Sequence, residues 1–277
     1  MEVMHSRAPN LPALTGLRFI AALSVLVAHA IDQAVAPYAV SEIANATAHL
    51  AFFGMSLFFV LSGTVLAINY STDLQGPRKG TALWNFAVAR FARIVPLYYF
   101  CGIVFFAATP WSDELRSALP SYFLLTQSWT PCTETNNFKF MVFYPHSWSI
   151  STEWFFYLLF PFVCLVTTRL RSSTALAMAV VASVVGFIIL FYLYRRLQLG
   201  DIGQVGSAGA GCNLKWFSYF SPFGRFCEFL LGTIAGQYIL LRQRGSIAIP
   251  GGRIAQLVEA IMVLAAVCGV LAAGVWA

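Results

Sequence analysis

Long apolar stretches recur along the chain, each bounded by polar or basic residues. The first, LPALTGLRFIAALSVLVAHAI over residues 11–31, is long enough to cross a bilayer as one helix, which takes about 20 apolar residues. Comparable runs fall at 49–69, 148–167, 174–194, 222–241 and 254–276. A shorter one at 94–109 carries Pro96 near its start, where a first helical turn tolerates the missing N–H. The pattern predicts an all-α fold: a polytopic transmembrane helical bundle of about seven spans, forming one membrane domain over residues 1–277. The apolar run 119–129 is too short to span and reads as a re-entrant or interfacial segment. The stretch after it, TPCTETNNFKFMVFYPHS, is polar and turn-rich. Gly232 and Gly236, one helical turn apart, are spaced for close packing of the sixth span against a neighbour.

Composition strengthens this reading. Hydrophobic residues make up 59% of the chain and charged ones 10%, against roughly 25% charged in an ordinary soluble domain. The lipid bilayer is therefore the expected surrounding. The net charge of +6 does not call for nucleic acid, because Lys and Arg collect in cytoplasmic loops of membrane proteins. Their distribution sets a topology. Residues 32–48 hold Asp32 and Glu42 but no Lys or Arg, whereas 70–93 hold Arg78, Lys79, Arg90 and Arg93 against Asp73. Arg169 and Arg171 follow the fourth span, and Arg242, Arg244 and Arg253 follow the sixth. The N-terminus is expected in the cytoplasm, residues 110–147 outside, and the protein in the inner (plasma) membrane as a multi-pass chain. Arg195 and Arg196 run against the rule. Ala28-His29-Ala30 has the form of a secretory cleavage site, but the basic region before it is long and further spans follow, so the first helix is expected to stay uncut. The six cysteines (101, 132, 164, 212, 227, 268) show neither CxxC nor zinc spacing, so no metal site is expected. Cys132 and Cys212 lie in loops and are expected unpaired. The glycine-rich stretch 199–215 lacks the G-x-x-x-x-G-K-[ST] pattern of a phosphate cradle and reads as a connector.

Two ionisable residues interrupt the first apolar run. Arg18 and His29 are expensive to place in hydrocarbon, and such residues commonly line a protein cavity and act there. They lie about 16 Å apart along a helix and within roughly 20° of one face. The alternative is that Arg18 snorkels and His29 ends the helix near water. By depth, Arg18, Arg90 and Arg93 form an inner group. His29, Ser149, Ser151, Glu153, Arg225 and Glu228 form an outer one. Guanidinium forks near the cytoplasmic leaflet suit a phosphate-bearing ligand, though Arg90 and Arg93 also read as simple positive-inside anchors. An imidazole with a carboxylate supplies the parts of a proton-transfer site. The structural alternative is an ion pair of Arg225 with Glu153 or with Glu228, which lies three residues after it.

Five segments, in order, resemble the acyltransferase family 3 integral membrane proteins. LTGLRFIAALSVLVAHA resembles their opening helix, with an arginine, ten residues and a histidine. SLFFVLSGTVLA resembles their second helix, and RFARIVPLYY their R-x-x-R-x-x-P-x-Y-Y segment. WSISTEWFFYLLFP resembles W-S-x-S-x-E-x-x-x-Y-L-L-F-P, and RFCEFLLG resembles R-x-x-E-F-x-x-G. The resemblance implies O-acylation of an extracytoplasmic carbohydrate or similar glycan acceptor, with cytoplasmic acyl-CoA as donor substrate and no further cofactor. It implies His29 as the general base and Glu153 as the carboxylate of the transfer site. Arg18, Arg90 and Arg93 become donor-side residues, with Ser149 and Ser151 completing the site and Arg225 and Glu228 structural or acceptor-side. Many members carry a second acid where this chain has Trp154. Members also have more spans than the seven read here, so the chain reads as lacking the family's last helices. With no esterase-like domain, transfer within the membrane domain is the expected route.

Two other classes remain open. Buried Arg, His and Glu also mark transporters and flippases, although no inverted repeat is evident. A non-catalytic remnant that assembles with partners is the third reading. The pattern carries no signal for an oligomeric state.

Overall fold

A computed structural model describes residues 12–35, 41–131, 144–200 and 213–247, and no strand occurs among them. Among the described residues, the longer helices run in the order α1 (Pro12–Val35), α2 (Ser41–Tyr70), α3 (Lys79–Ala108), α4 (Asp113–Phe123), α5 (Trp148–Thr167), α6 (Ser173–Gly200) and α7 (Pro222–Gln243). Single turns at Asp73–Gln75, Pro145–Ser147 and Trp216–Phe220 punctuate them.

Among the described residues, five stretches are long and apolar enough to cross a membrane: Leu14–Asp32, Ala46–Tyr70, Lys79–Ala108, Pro145–Thr167 and Ser173–Leu197. The protein is an all-helical, multi-pass membrane protein. The expectation of about seven spans is not confirmed. The sixth falls on α7, whose body carries Arg225, Glu228, Thr233 and Gln237, and the seventh lies outside the described residues. The third span also starts earlier than its hydropathy suggested. The helix begins at Lys79, so Arg90 and Arg93 lie within α3 and Pro96 sits inside it. Pro is tolerated in a membrane helix because neighbouring groups can satisfy the freed carbonyl. The apolar run 119–129 is divided between the end of α4 and the turn after it, and the N-cap Ser112 of α4 accepts from the Leu115 N–H at 3.1 Å. Cys101, Cys164 and Cys227 are free, whereas Cys132 and Cys212 lie outside the described residues, as does most of the glycine-rich connector.

The chain divides into two compact units. The first takes in Met1–Arg78, Val163–Val180 and Glu228–Ala277. In it, α1 packs on α2 at Gly54, where a Cβ would sit 2.7 Å from Val25 Cγ2 and 2.8 Å from the Ala21 carbonyl. Helix α7 runs parallel to α2 in a fixed register. Glu228 meets Ser56 and Arg244 meets Thr72, each pair 172 residues apart. Between them, Gly232 lies against the Val60 carbonyl, Gly63 against the Phe229 carbonyl, and Gly236 against Thr64 and Ala67. The sequence expectation for Gly232 and Gly236 thus finds its partner in α2. The register sets α7 beside the candidate span of α2. Its less apolar composition follows from burial, since Glu228, Thr233 and Gln237 are all buried. At the basic end of this unit, Gln75 Nε2 donates to the Cys164 carbonyl, Gln237 Nε2 to the Leu170 carbonyl, and Arg244 Nη2 to Thr72 Oγ1 at 2.6 Å.

The second unit takes in Lys79–Phe162 and Val181–Cys227. Its irregular backbone is satisfied by side chains, as burial in a membrane protein demands. After α4 the chain reverses at Leu125, which adopts φ 55°, a left-handed conformation uncommon for a bulky residue. Ser151 Oγ donates to the Leu125 carbonyl at 2.8 Å and accepts from Ser128 Oγ at 2.9 Å. Gln127 Nε2 donates to the Ser147 carbonyl and to the Tyr98 hydroxyl. Trp216 Nε1 donates to the Ser128 carbonyl at 2.9 Å, and Thr152 Oγ1 to the Phe220 carbonyl at 3.0 Å. The start of α5 is thereby fixed to two irregular segments.

Candidate active site

The sequence-derived site residues fall into both units. In the first, Arg18 is half-buried and His29 exposed, both on α1. Helix α1 continues past the histidine to Val35, so His29 does not end it. Glu228 is 8% exposed and its Oε1 accepts from Ser56 Oγ at 2.7 Å. In the second unit, Arg225 is 1% exposed. Its Nε donates to the Tyr219 carbonyl at 2.8 Å, and its guanidinium lies over the Tyr219 ring at 4.8 Å. The contacts described for Arg225 and Glu228 thus anchor each residue to a tyrosine or a serine.

The two serines serve the α5 start. Ser149 Oγ donates to the His146 carbonyl at 3.2 Å, closing the turn into the helix. Ser151 is fully buried and bridges Leu125 and Ser128 as described. Their hydroxyls position backbone.

Helices α3 and α5 bring together residues that the depth argument had separated. The Tyr157 hydroxyl donates to Glu153 Oε1, one turn earlier on α5. Arg90 on α3 lies over the same tyrosine ring, 5.5 Å from its centroid, within the roughly 6 Å reach of a cation–π contact. Phe86 meets the Tyr157 ring edge-on at 6.4 Å and packs against Phe160 at 5.4 Å. Arg93, one turn after Arg90, is exposed. One inner arginine, Arg90, and the outer carboxylate therefore share one aromatic residue. Tyr157 was not singled out by sequence reasoning. Its place as the tyrosine of the W-S-x-S-x-E-x-x-x-Y segment, four residues after Glu153, was the available signal, whereas the contact with Arg90 was not readable from spacing.

Five segments of the sequence resemble one family in order, and comparison with known proteins decides the matter. A family profile described as an acyltransferase domain matches residues 11–277. The chain belongs to the acyltransferase 3 family. Among curated relatives, the chain is 29% identical over 278 residues to the acyltransferase MdmB of Streptomyces mycarofaciens. It is 27% identical over 172 residues to the O-acetyltransferase OatA of Staphylococcus aureus (strain NCTC 8325 / PS 47). The first alignment covers 96% of this chain and the second 59%. The chain spans 65% of the length of MdmB, and the OatA match covers 26% of that protein. No solved structure matches. Within this acyltransferase 3 member, Arg90 of α3 and Glu153 of α5 thus meet at Tyr157.

The second unit also holds an aromatic cavity of about 260 Å³, lined by Tyr98, Tyr99, Phe106, Trp111, Phe123 and Tyr144, among others. The Tyr98 and Tyr99 hydroxyls donate to the Tyr122 and Phe123 carbonyls, so carbon faces the space. Burial first, and then contact with Cys101, pushes the Tyr144 phenol up to about 12. None of the sequence-derived site residues lines this cavity.

Proposed function

We propose that this protein is a membrane O-acyltransferase. It moves an acyl group, acetyl in the simplest case, from cytoplasmic acyl-CoA to a hydroxyl of an extracytoplasmic carbohydrate or similar acceptor. The observation that carries the reading is the family match over residues 11–277, joined by a relative named as an O-acetyltransferase. In the reaction, the acceptor oxygen attacks the thioester carbonyl, forming the C–O ester bond as the C–S bond breaks. His29 takes the acceptor proton and returns it to the leaving sulfur, releasing CoA. Such general-base work is worth about 10²–10⁴ in rate. Arg18, Arg90 and Arg93 bind the donor phosphates, because guanidinium forks match phosphate oxygens. Glu153 is the carboxylate of the transfer site. Ser149 and Ser151 hold the backbone that carries it. Arg225 and Glu228 are support residues, in keeping with their burial. No cofactor beyond the acyl-CoA substrate is required.

The test is direct. Inside-out membrane vesicles containing the protein and supplied with labelled acetyl-CoA should form an alkali-labile ester. Label that stays in CoA would overturn the proposal.

The orientation follows from charge. The N-terminus lies in the cytoplasm of the cell that bears this inner (plasma) membrane protein. The gathering of Arg244 onto Thr72, near Arg78, supports a single basic end. Single cysteines placed in a cysteine-free background at positions 76 and 246 should react only with reagent admitted to the cytoplasm. Those at positions 36 and 138 should react from outside. Labelling of position 76 by an impermeant reagent in whole cells would contradict the topology.

A further inference from the structure

Tyr157 touches both kinds of group that acyl transfer requires. Its hydroxyl donates to Glu153 Oε1, and its ring face carries the Arg90 guanidinium at 5.5 Å. The ring itself has little freedom. It is 4% exposed, and Phe86 meets it edge-on while packing on Phe160. Cation–π attraction to the ring holds the Arg90 guanidinium near one place, and a guanidinium fork is the group that binds phosphate in a bidentate way. A carboxylate that accepts a hydrogen bond from a fixed phenol is itself fixed in orientation.

We propose that Tyr157 is a positioning residue with two separable tasks: its ring face sets Arg90 for the donor phosphates, and its hydroxyl sets the Glu153 carboxylate for transfer. The proposal rests on the function given above, in which Arg90 binds acyl-CoA and Glu153 belongs to the transfer site. Removing one oxygen from Tyr157 should impair transfer without touching donor affinity. Removing the ring should impair both. A tyrosine that merely filled space would show no such split.

The experiment uses the full chain purified in lipid nanodiscs. Acetyl-CoA affinity is read by titration calorimetry, and transfer by labelled acetyl entering alkali-labile ester in added host membranes. Tyr157→Phe should leave the acetyl-CoA Kd within about twofold and lower the transfer rate roughly ten- to a hundredfold, as expected for a hydrogen bond to a charged group. Tyr157→Leu should show that loss and also weaken acetyl-CoA binding roughly two- to thirtyfold, the equivalent of an ordinary cation–π contact. Glu153→Gln alters the same hydrogen bond from the other end while keeping the tyrosine, and should slow transfer with Kd unchanged. The double variant Tyr157→Phe/Glu153→Gln should be no slower than the slower single one, because the hydroxyl acts only through the carboxylate that Glu153→Gln takes away.

A wild-type rate in Tyr157→Phe beside a slow Glu153→Gln overturns the inference alone. Losses that multiply in the double variant overturn it as well, because the tyrosine would then act apart from the glutamate. A wild-type rate in Glu153→Gln overturns the Glu153 assignment on which the inference stands. Failure of the unaltered protein to bind acetyl-CoA overturns the function reading itself.

Discussion

His29→Ala is expected to lower the acyl-transfer rate by about 10²–10⁴, the range typical of a lost general base. Protein level and membrane insertion should not change. His29 is exposed on α1, so truncating it leaves no cavity in a packed interior, and the substitution adds no polar group to hydrocarbon. Arg18→Ala, on the same helix, should act differently. It removes a binding contact that need not strengthen in the transition state, so the apparent KM for acyl-CoA rises more than kcat falls. Initial rates at varied acyl-CoA, normalised to the amount of protein in the membrane, separate the two. Near-normal turnover in His29→Ala would rule out this histidine as the base.

Gly232→Ala should damage the fold more than any other glycine-to-alanine change in the described helices of the first unit. A Cβ at this position runs into the Val60 carbonyl and its carbon at once. Backbone cannot swing aside as a side chain can, and overpacking of this kind costs about 1–3 kcal/mol or more. Gly186→Ala in α6 is the control, because a Cβ there meets nothing within 4 Å. In a helix interior that change should be neutral or stabilising by about 0.5–1 kcal/mol. Thermal unfolding midpoints in one detergent measure both. A midpoint for Gly232→Ala equal to that of Gly186→Ala would contradict the close approach of α2 and α7.

The helical class was legible because bilayer-length apolar runs carry their own signal. The fourth span, read as 148–167, coincides with α5 (Trp148–Thr167). Helix α3 was misjudged at its start because hydropathy falls at Arg90 and Arg93, although the backbone stays helical back to Lys79. That error mattered for the site, since it left Arg90 in a loop and away from Glu153. The i,i+4 spacing of Glu153 and Tyr157 was available in the sequence. Arg90 over the ring was not, because it joins helices far apart along the chain. The same limit hid the register of α7 on α2. The small residues Gly232 and Gly236 signalled a close partner, but only the fold identifies Val60, Thr64 and Ala67 as that partner. The turn at Leu125 gave no sequence sign either. Leucine disfavours positive φ, and Ser151, which holds the carbonyl of Leu125, lies 26 residues onward.

The central claim is that the protein transfers the acyl group of acyl-CoA onto a hydroxyl and does not merely transport acyl-CoA or its free acid across the membrane. Proteoliposomes holding the purified chain, with a hydroxyl-bearing glycan on the face opposite the donor, test it most directly. The donor is acetyl-CoA labelled separately in its acetyl and CoA parts. The account predicts acetyl label in an alkali-labile ester on the glycan, matched one for one by free CoA on the donor side, with both signals lost in His29→Ala. Acetyl-CoA or acetate crossing the membrane with no ester formed would contradict it.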